Sequence, residues 1–143
     1  MVPQGSTAQL EDGVDLLLNW QDEIGLLDYD VSPQSASSGE TISVTLTYRA
    51  LQDLDVDYTA YIHLLDRQGV LAGQADAEPC GGALRTGTWR SGDTIRDTVQ
   101  LHIAEGMPPG SYQLLTGFYT WPDITPLALE GQEPGYLTTL EIR

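Results

Sequence analysis

Thr41-Ile42-Ser43-Val44-Thr45-Leu46-Thr47-Tyr48-Arg49 is the stretch that decides the fold. Its apolar residues stand at every second place, with Thr, Ser and Arg between them. Successive side chains of an extended chain point to opposite faces, so this alternation predicts a strand with one buried and one wet face. Residues 94–103 repeat the pattern, with Ile95, Val99, Leu101 and Ile103 on one face and Arg96, Thr98, Gln100 and His102 on the other. Asp97 falls within the apolar set. It must sit at the rim or be buried with a hydrogen-bond partner, because an unpaired carboxylate is costly in an apolar interior.

Two further stretches are apolar on both faces. In residues 57–65, Tyr58, Ala60, Ile62 and Leu64 oppose Thr59, Tyr61, His63 and Leu65; in residues 111–121, Tyr112, Leu114, Thr116 and Phe118 oppose Leu115, Gly117, Tyr119 and Trp121. Such strands belong in the middle of a sheet. Further strands are predicted at residues 23–31, 70–76 and 136–142. Gln21-Asp22 and Asp66-Arg67-Gln68-Gly69 are predicted turns, and residues 32–39 a loop. Regular structure is expected to begin within residues 14–20, and no helical period follows residue 22. About seven short strands without intervening helices predict an all-β fold, an antiparallel immunoglobulin-like or fibronectin-type-III-like β-sandwich. Tyr112, entering a late strand after Pro108-Pro109-Gly110-Ser111, resembles the tyrosine corner of such sandwiches. Residues 14–143 read as one domain and residues 1–13 as a disordered lead or linker.

The 143 residues are enough for one real core. Twenty-one acids face six arginines and no lysine, a net charge of −15. That field repels phosphate backbones, so a nucleic-acid partner is not expected. No stretch approaches the roughly 20 apolar residues of a membrane span, so this segment is not expected to cross a bilayer. Residues 1–48 hold eight acids and no basic residue, which does not match the positive start of a secretory signal. Cys80 is the only cysteine, which excludes an internal disulfide and reads as an incidental loop thiol.

Several segments, read in order, carry a family resemblance. They are Leu26-Leu27-Asp28-Tyr29-Asp30-Val31, Gly39-Glu40, Leu46-Thr47-Tyr48-Arg49-Ala50-Leu51, and Asp57-Tyr58-Thr59-Ala60-Tyr61-Ile62-His63-Leu64-Leu65-Asp66. Gln74-Ala75-Asp76, Trp89-Arg90-Ser91-Gly92-Asp93, Asp97, Pro109-Gly110-Ser111-Tyr112 and Gly117-Phe118-Tyr119 follow. Residues 23–143 resemble the C-terminal sandwich domain attached to multi-pass membrane glycosyltransferase-like proteins of bacteria, departing from it at Asp28, where that family more often has glycine. The resemblance implies an extracytoplasmic, non-catalytic accessory or interaction domain of a larger envelope or membrane protein, with a protein or glycan partner and no cofactor.

Asp53, Asp55 and Asp57 alternate as in a calcium loop, but an EF-hand needs glycine at its sixth position and glutamate at its twelfth, where Tyr58 and Leu64 stand. They remain weak metal candidates, and no metal site is expected. His63, with Asp66, Gln74, Asp76 and Asp97, reads as a structural polar cluster holding the loop of residues 77–89. No serine lies in a nucleophile-elbow sequence, and no carboxylate pair stands out for glycoside cleavage; an enzyme is therefore not expected. Trp89 reads as a plug over one end of the core. Tyr61, His63, Tyr119 and Trp121 would form an aromatic platform if they shared an outer face, which is the alternative reading as a carbohydrate-binding module. The expectation weighed against it is that residues 14–20 cover this face.

Overall fold

The structure is a computed structural model that describes residues 16–129 and 135–143. The predicted lead at residues 1–13, with Val14, lies outside the described residues.

The alternation in residues 41–50 becomes a strand whose even-numbered side chains are all buried. In chain order the strands are β1 (Leu18–Trp20), β2 (Ile24–Ser32), β3 (Ser35–Ala36), β4 (Thr41–Ala50) and β5 (Thr59–Leu65). They continue with β6 (Leu71–Ala77), β7 (Thr94–His102), β8 (Gly110–Thr120), β9 (Thr125–Pro126) and β10 (Tyr136–Ile142). One sheet has the order β1-β2-β4-β7; the other runs β3-β10-β8-β5-β6, with β9 paired to β8. The two sheets enclose a single hydrophobic core in a β-sandwich. Every pairing is antiparallel except that of β3 with β10. The two strands predicted to be central are so: β5 lies between β6 and β8, and β8 between β10 and β5. Helical structure among the described residues is limited to two short 3-10 turns, Pro79–Gly82 and Thr86–Thr88.

Residues 32–39, expected to be loop throughout, contain β3. Two residues are too short to show a period. What makes them a strand is β10 alongside: Arg143, just past its end, donates its backbone N–H to the Ala36 carbonyl at 2.8 Å.

The turns follow their local chemistry. Gln21 and Asp22 both adopt positive φ (54° and 56°) between β1 and β2, while the Asn19 and Asp22 side chains clasp across the turn at 2.8 Å. In the β5–β6 turn, Asp66 Oδ1 accepts the N–H groups of Gln68 and Val70, each at 2.9 Å. Tyr112 Oη donates to the Pro108 carbonyl at 2.7 Å, which completes the tyrosine corner.

Phe118, the only phenylalanine, is the hub of the core. Its ring meets Trp20 at 5.1 Å, Tyr48 at 5.3 Å and Tyr58 at 6.3 Å between centroids. Trp89 closes one end of this cluster, 2% exposed, with its indole N–H on the Leu84 carbonyl. Polar groups are buried here too. Asp97 points into the core, where burial raises its carboxyl pKa and the Cys80 backbone N–H partly offsets the shift. The Tyr48 hydroxyl beside it is fully buried and has no partner at hydrogen-bonding geometry among the described residues. Thr116 lies close by, but its hydroxyl proton goes to the Tyr61 carbonyl at 3.0 Å.

Two tyrosine truncations therefore have opposite expected signs. Tyr112→Phe removes a made hydrogen bond and should cost about 0.5–1.5 kcal/mol in denaturant unfolding. Tyr48→Phe removes a buried, unpartnered hydroxyl and should leave stability equal or raise it by about 1 kcal/mol. A loss in Tyr48→Phe matching that in Tyr112→Phe would show a partner for the Tyr48 hydroxyl.

Asp97 also sets a pH dependence. Its folded pKa lies above its unfolded one, so folding takes up a proton between the two. The stability this group contributes is full below the ordinary carboxylate range, about 4, and is lost as pH rises through the raised value. Asp97→Asn keeps an acceptor for the Cys80 N–H. It should melt higher than the parent at neutral pH, with the gap closing as pH falls; a variant that melts lower at neutral pH would contradict this account.

Candidate functional site

The outer face of the six-stranded sheet is set by register. Tyr61 on β5 stands opposite Asp76 on β6 and Gly117 on β8, while His63 stands opposite Gln74 and Leu115. Thr59 pairs with Tyr119. Because directly paired residues share a face, Tyr61, His63, Gln74, Asp76, Gly117 and Tyr119 all lie on the side away from the core.

Gly117 gives this surface its shape. A Cβ there would run into the ring and hydroxyl of Tyr61, so the glycine is what lets the Tyr61 ring lie down across β8. The ring then stacks on Tyr119 at 6.2 Å with a 25° interplanar angle, and its other neighbour is His63 at 4.4 Å and 34°. Asp76 reaches across from β6: Oδ2 accepts the Tyr119 hydroxyl at 2.9 Å, and Oδ1 stands 3.8 Å from His63 Nε2, too far for a hydrogen bond. Burial lowers the His63 pKa, with the Asp76 charge opposing, so the imidazole is neutral at pH 7. Burial, then the Asp76 hydrogen bond and charge, raise the Tyr119 phenol.

Trp121 stands apart. It is 68% exposed at the first turn residue after β8, and its ring stacks on none of the other three. The turn that carries it is held by Asp123, which accepts the hydroxyls of Thr120 at 2.6 Å and Thr125 at 3.1 Å. Those bonds lower the Asp123 pKa.

The predicted polar cluster divides. His63, Gln74 and Asp76 are neighbours on the outer face. Asp66 belongs to the β5–β6 turn, and Asp97 lies on the other sheet facing the core. Residues 77–89 are held by other contacts: Thr86 Oγ1 donates to the Val56 carbonyl at 2.6 Å and accepts the Tyr58 N–H at 2.7 Å. The expected cover over the aromatic face is overturned for the described part of residues 14–20. Leu18–Trp20 pair with β2 at the edge of the four-stranded sheet, and Trp20 turns inward onto Phe118.

The loop acids diverge. Asp53 accepts the Ser91 N–H at 3.0 Å, while Asp57 accepts the Gly87 N–H at 3.0 Å and pairs with Arg85 at 3.4 Å. They brace the loop containing Trp89. Among the described residues no three His, Cys, Asp or Glu side chains converge as a metal site. The Cys80 thiol contacts the Arg96 carbonyl at 3.5 Å, and burial raises its pKa, the reverse of an activated thiolate. The shaping role of Gly117 was missed in the sequence, although a glycine among outward aromatics in a central strand marks a close approach.

No protein-family model matches the chain, and no curated protein matches it. Solved structures do. The C-terminal domain of Wzt superposes with a TM-score of 0.61 at 14% identity, covering 84% of this chain and 73% of that one. The alkylpurine DNA glycosylase AlkC from Pseudomonas fluorescens, bound to DNA containing an abasic-site analogue, gives 0.55 at 14% identity over 85% of this chain but only 30% of its own. A Niemann-Pick type C2 protein from the Japanese carpenter ant gives 0.50 at 13%, over 82% and 91% of the two chains. These likenesses show the sandwich fold alone. Among the described residues no helix is long and apolar enough to cross a membrane.

Gly117→Ala should push Tyr61 off the sheet while leaving the core intact. The expected result is a changed near-UV circular dichroism spectrum with an unchanged far-UV spectrum. An identical near-UV spectrum would mean that Tyr61 does not depend on the glycine.

Proposed function

We propose that this is a non-catalytic binding domain of a larger extracytoplasmic envelope protein, and that it binds a glycan on the outer face of its six-stranded sheet. The observation that carries the reading is the Tyr61–Tyr119 stack laid along the sheet over Gly117, with Asp76 and Gln74 beside it. Aromatic rings with hydrogen-bonding groups at their margin suit a sugar, which presents apolar C–H faces and a rim of hydroxyls. Trp121, at the end of the same strand, supplies a second exposed ring. The fold likeness to a C-terminal domain agrees with a domain carried by something larger. Attachment to a glycosyltransferase-like membrane protein is the form of this proposal that the sequence resemblance favours.

The non-catalytic reading rests on how the polar groups are placed. Among the described residues, the carboxylate beside the stacked rings is Asp76, tied to Tyr119, and Asp123 near Trp121 is taken up by the Thr120 and Thr125 hydroxyls, whereas ordinary glycoside cleavage uses two carboxylates flanking the bond.

A glycan array of the parent domain tests the proposal, with Tyr61→Ala and Trp121→Ala beside it. A specific hit is expected, abolished by Tyr61→Ala and weakened by Trp121→Ala. Trp121→Ala should keep its stability within about 0.5 kcal/mol, as other exposed substitutions do. An empty array, or a hit that both variants retain, would refute the aromatic face as the binding surface.

A further inference from the structure

The chemistry at the margin of the rings is one-sided. Asp76 Oδ2 accepts the Tyr119 hydroxyl, while Oδ1 accepts no hydrogen bond among the described residues and has His63 Nε2 as its nearest cationic candidate, at 3.8 Å. That imidazole is uncharged at neutral pH, because burial opposes its protonation. No strand of the six-stranded sheet carries an arginine, and the chain has no lysine. Arg49 and Arg96 lie on β4 and β7 of the other sheet. Arg67 is in the β5–β6 turn, six residues beyond Tyr61, which at about 3.3 Å per residue is roughly 20 Å and beyond the screening length of physiological salt. Arg85 is paired with Asp57, Arg90 with the Leu54 and Trp89 carbonyls, and Arg143 with Glu40. The exposed Asp76 carboxylate therefore stands beside a row of aromatic rings with an acceptor oxygen unused and no arginine paired to it among the described residues.

A ligand that supplies the missing charge gains twice. An ammonium group can donate to a carboxylate oxygen and also lie against the electron-rich ring faces. A carboxylate or phosphate on a ligand would instead meet Asp76 within a protein of net charge −15.

We infer that the glycan bound on this face carries a free primary amine, an unacetylated amino sugar whose ammonium is held between Asp76 Oδ1 and the rings of Tyr61 and Tyr119. The inference rests on the glycan reading of this surface and adds the ligand's charge. It makes acetylation of the sugar nitrogen the feature the site discriminates, since the acetamide keeps one N–H donor and loses the charge.

Isothermal titration with three short oligosaccharides separates the possibilities: a glucosamine trimer, the N-acetylglucosamine trimer and a glucose trimer, all at neutral pH, where His63 is uncharged and an amine in the α-amino range of about 7.7–8.0 is mostly charged. The glucosamine trimer should bind about fivefold to tenfold tighter than its acetylated counterpart. Asp76→Asn keeps an acceptor for Tyr119 and should erase that preference. Asp30→Asn removes the same charge from an exposed position on the four-stranded sheet and should keep it. If the acetylated trimer binds equally or better, the inference is overturned while the glycan reading stands. If Asp76→Asn and Asp30→Asn weaken the glucosamine trimer equally, the attraction is the general field of an acidic protein and the inference also fails. If none of the three binds, the amine inference fails, and the array then decides the broader reading independently.

Discussion

Side-chain alternation along β8 ties the interior of this protein to its surface. Phe118 points inward and joins Trp20, Tyr48 and Tyr58 into one aromatic core. Gly117 and Tyr119, on either side of it, point outward and shape the candidate binding face. A slip of one residue in the β5–β8 register would exchange the two sets. Burying an aromatic ring contributes about 1.5–3 kcal/mol, so such a slip is opposed strongly. The outer row is thus held in place by packing on the opposite side of the sheet, and any ligand meets a preformed surface.

The acids of this chain do different kinds of work. Asp53, Asp57, Asp66 and Asp93 accept backbone N–H groups in turns and loops, and Asp123 clasps two threonine hydroxyls. These carboxylates supply the turn chemistry that a chain of many short strands requires. Asp97 is the opposite case, an acid inside the core that the Cys80 N–H only partly compensates, beside the Tyr48 hydroxyl, which has no partner at hydrogen-bonding geometry among the described residues. Asp76 is different again: it lies on a strand beside aromatic rings, and one oxygen is left over. That distribution is why the proposed ligand contact falls on Asp76.

Most of the strands were legible from residues 23–31, 41–49, 94–103 and 111–121, because the pleat is a local property and apolar spacing reports it directly. The tyrosine corner was legible for the same reason, since Pro108 and Tyr112 lie within one short stretch. β3 was not. Its two residues carry no period, and only the arrival of β10 alongside makes them a strand.

The candidate face was legible in part. Alternation alone put Tyr61 and His63 on one side of β5, and Gly117 and Tyr119 on one side of β8. That these two sides coincide, that Tyr61 lies over Gly117, and that Asp76 crosses to Tyr119 depend on how distant strands dock. The same limit explains why His63, Asp66, Gln74, Asp76 and Asp97 could be grouped from sequence and yet fall in three places. It also explains why Leu18–Trp20, part of the segment expected to cover the rings, joined the other sheet, where Trp20 buries its ring against Phe118. The facing of each side chain within its own strand was determined by the sequence, because backbone geometry propagates over only a few residues. The identity of each strand's neighbours was decided by tertiary structure, because it depends on which distant apolar faces bury one another best.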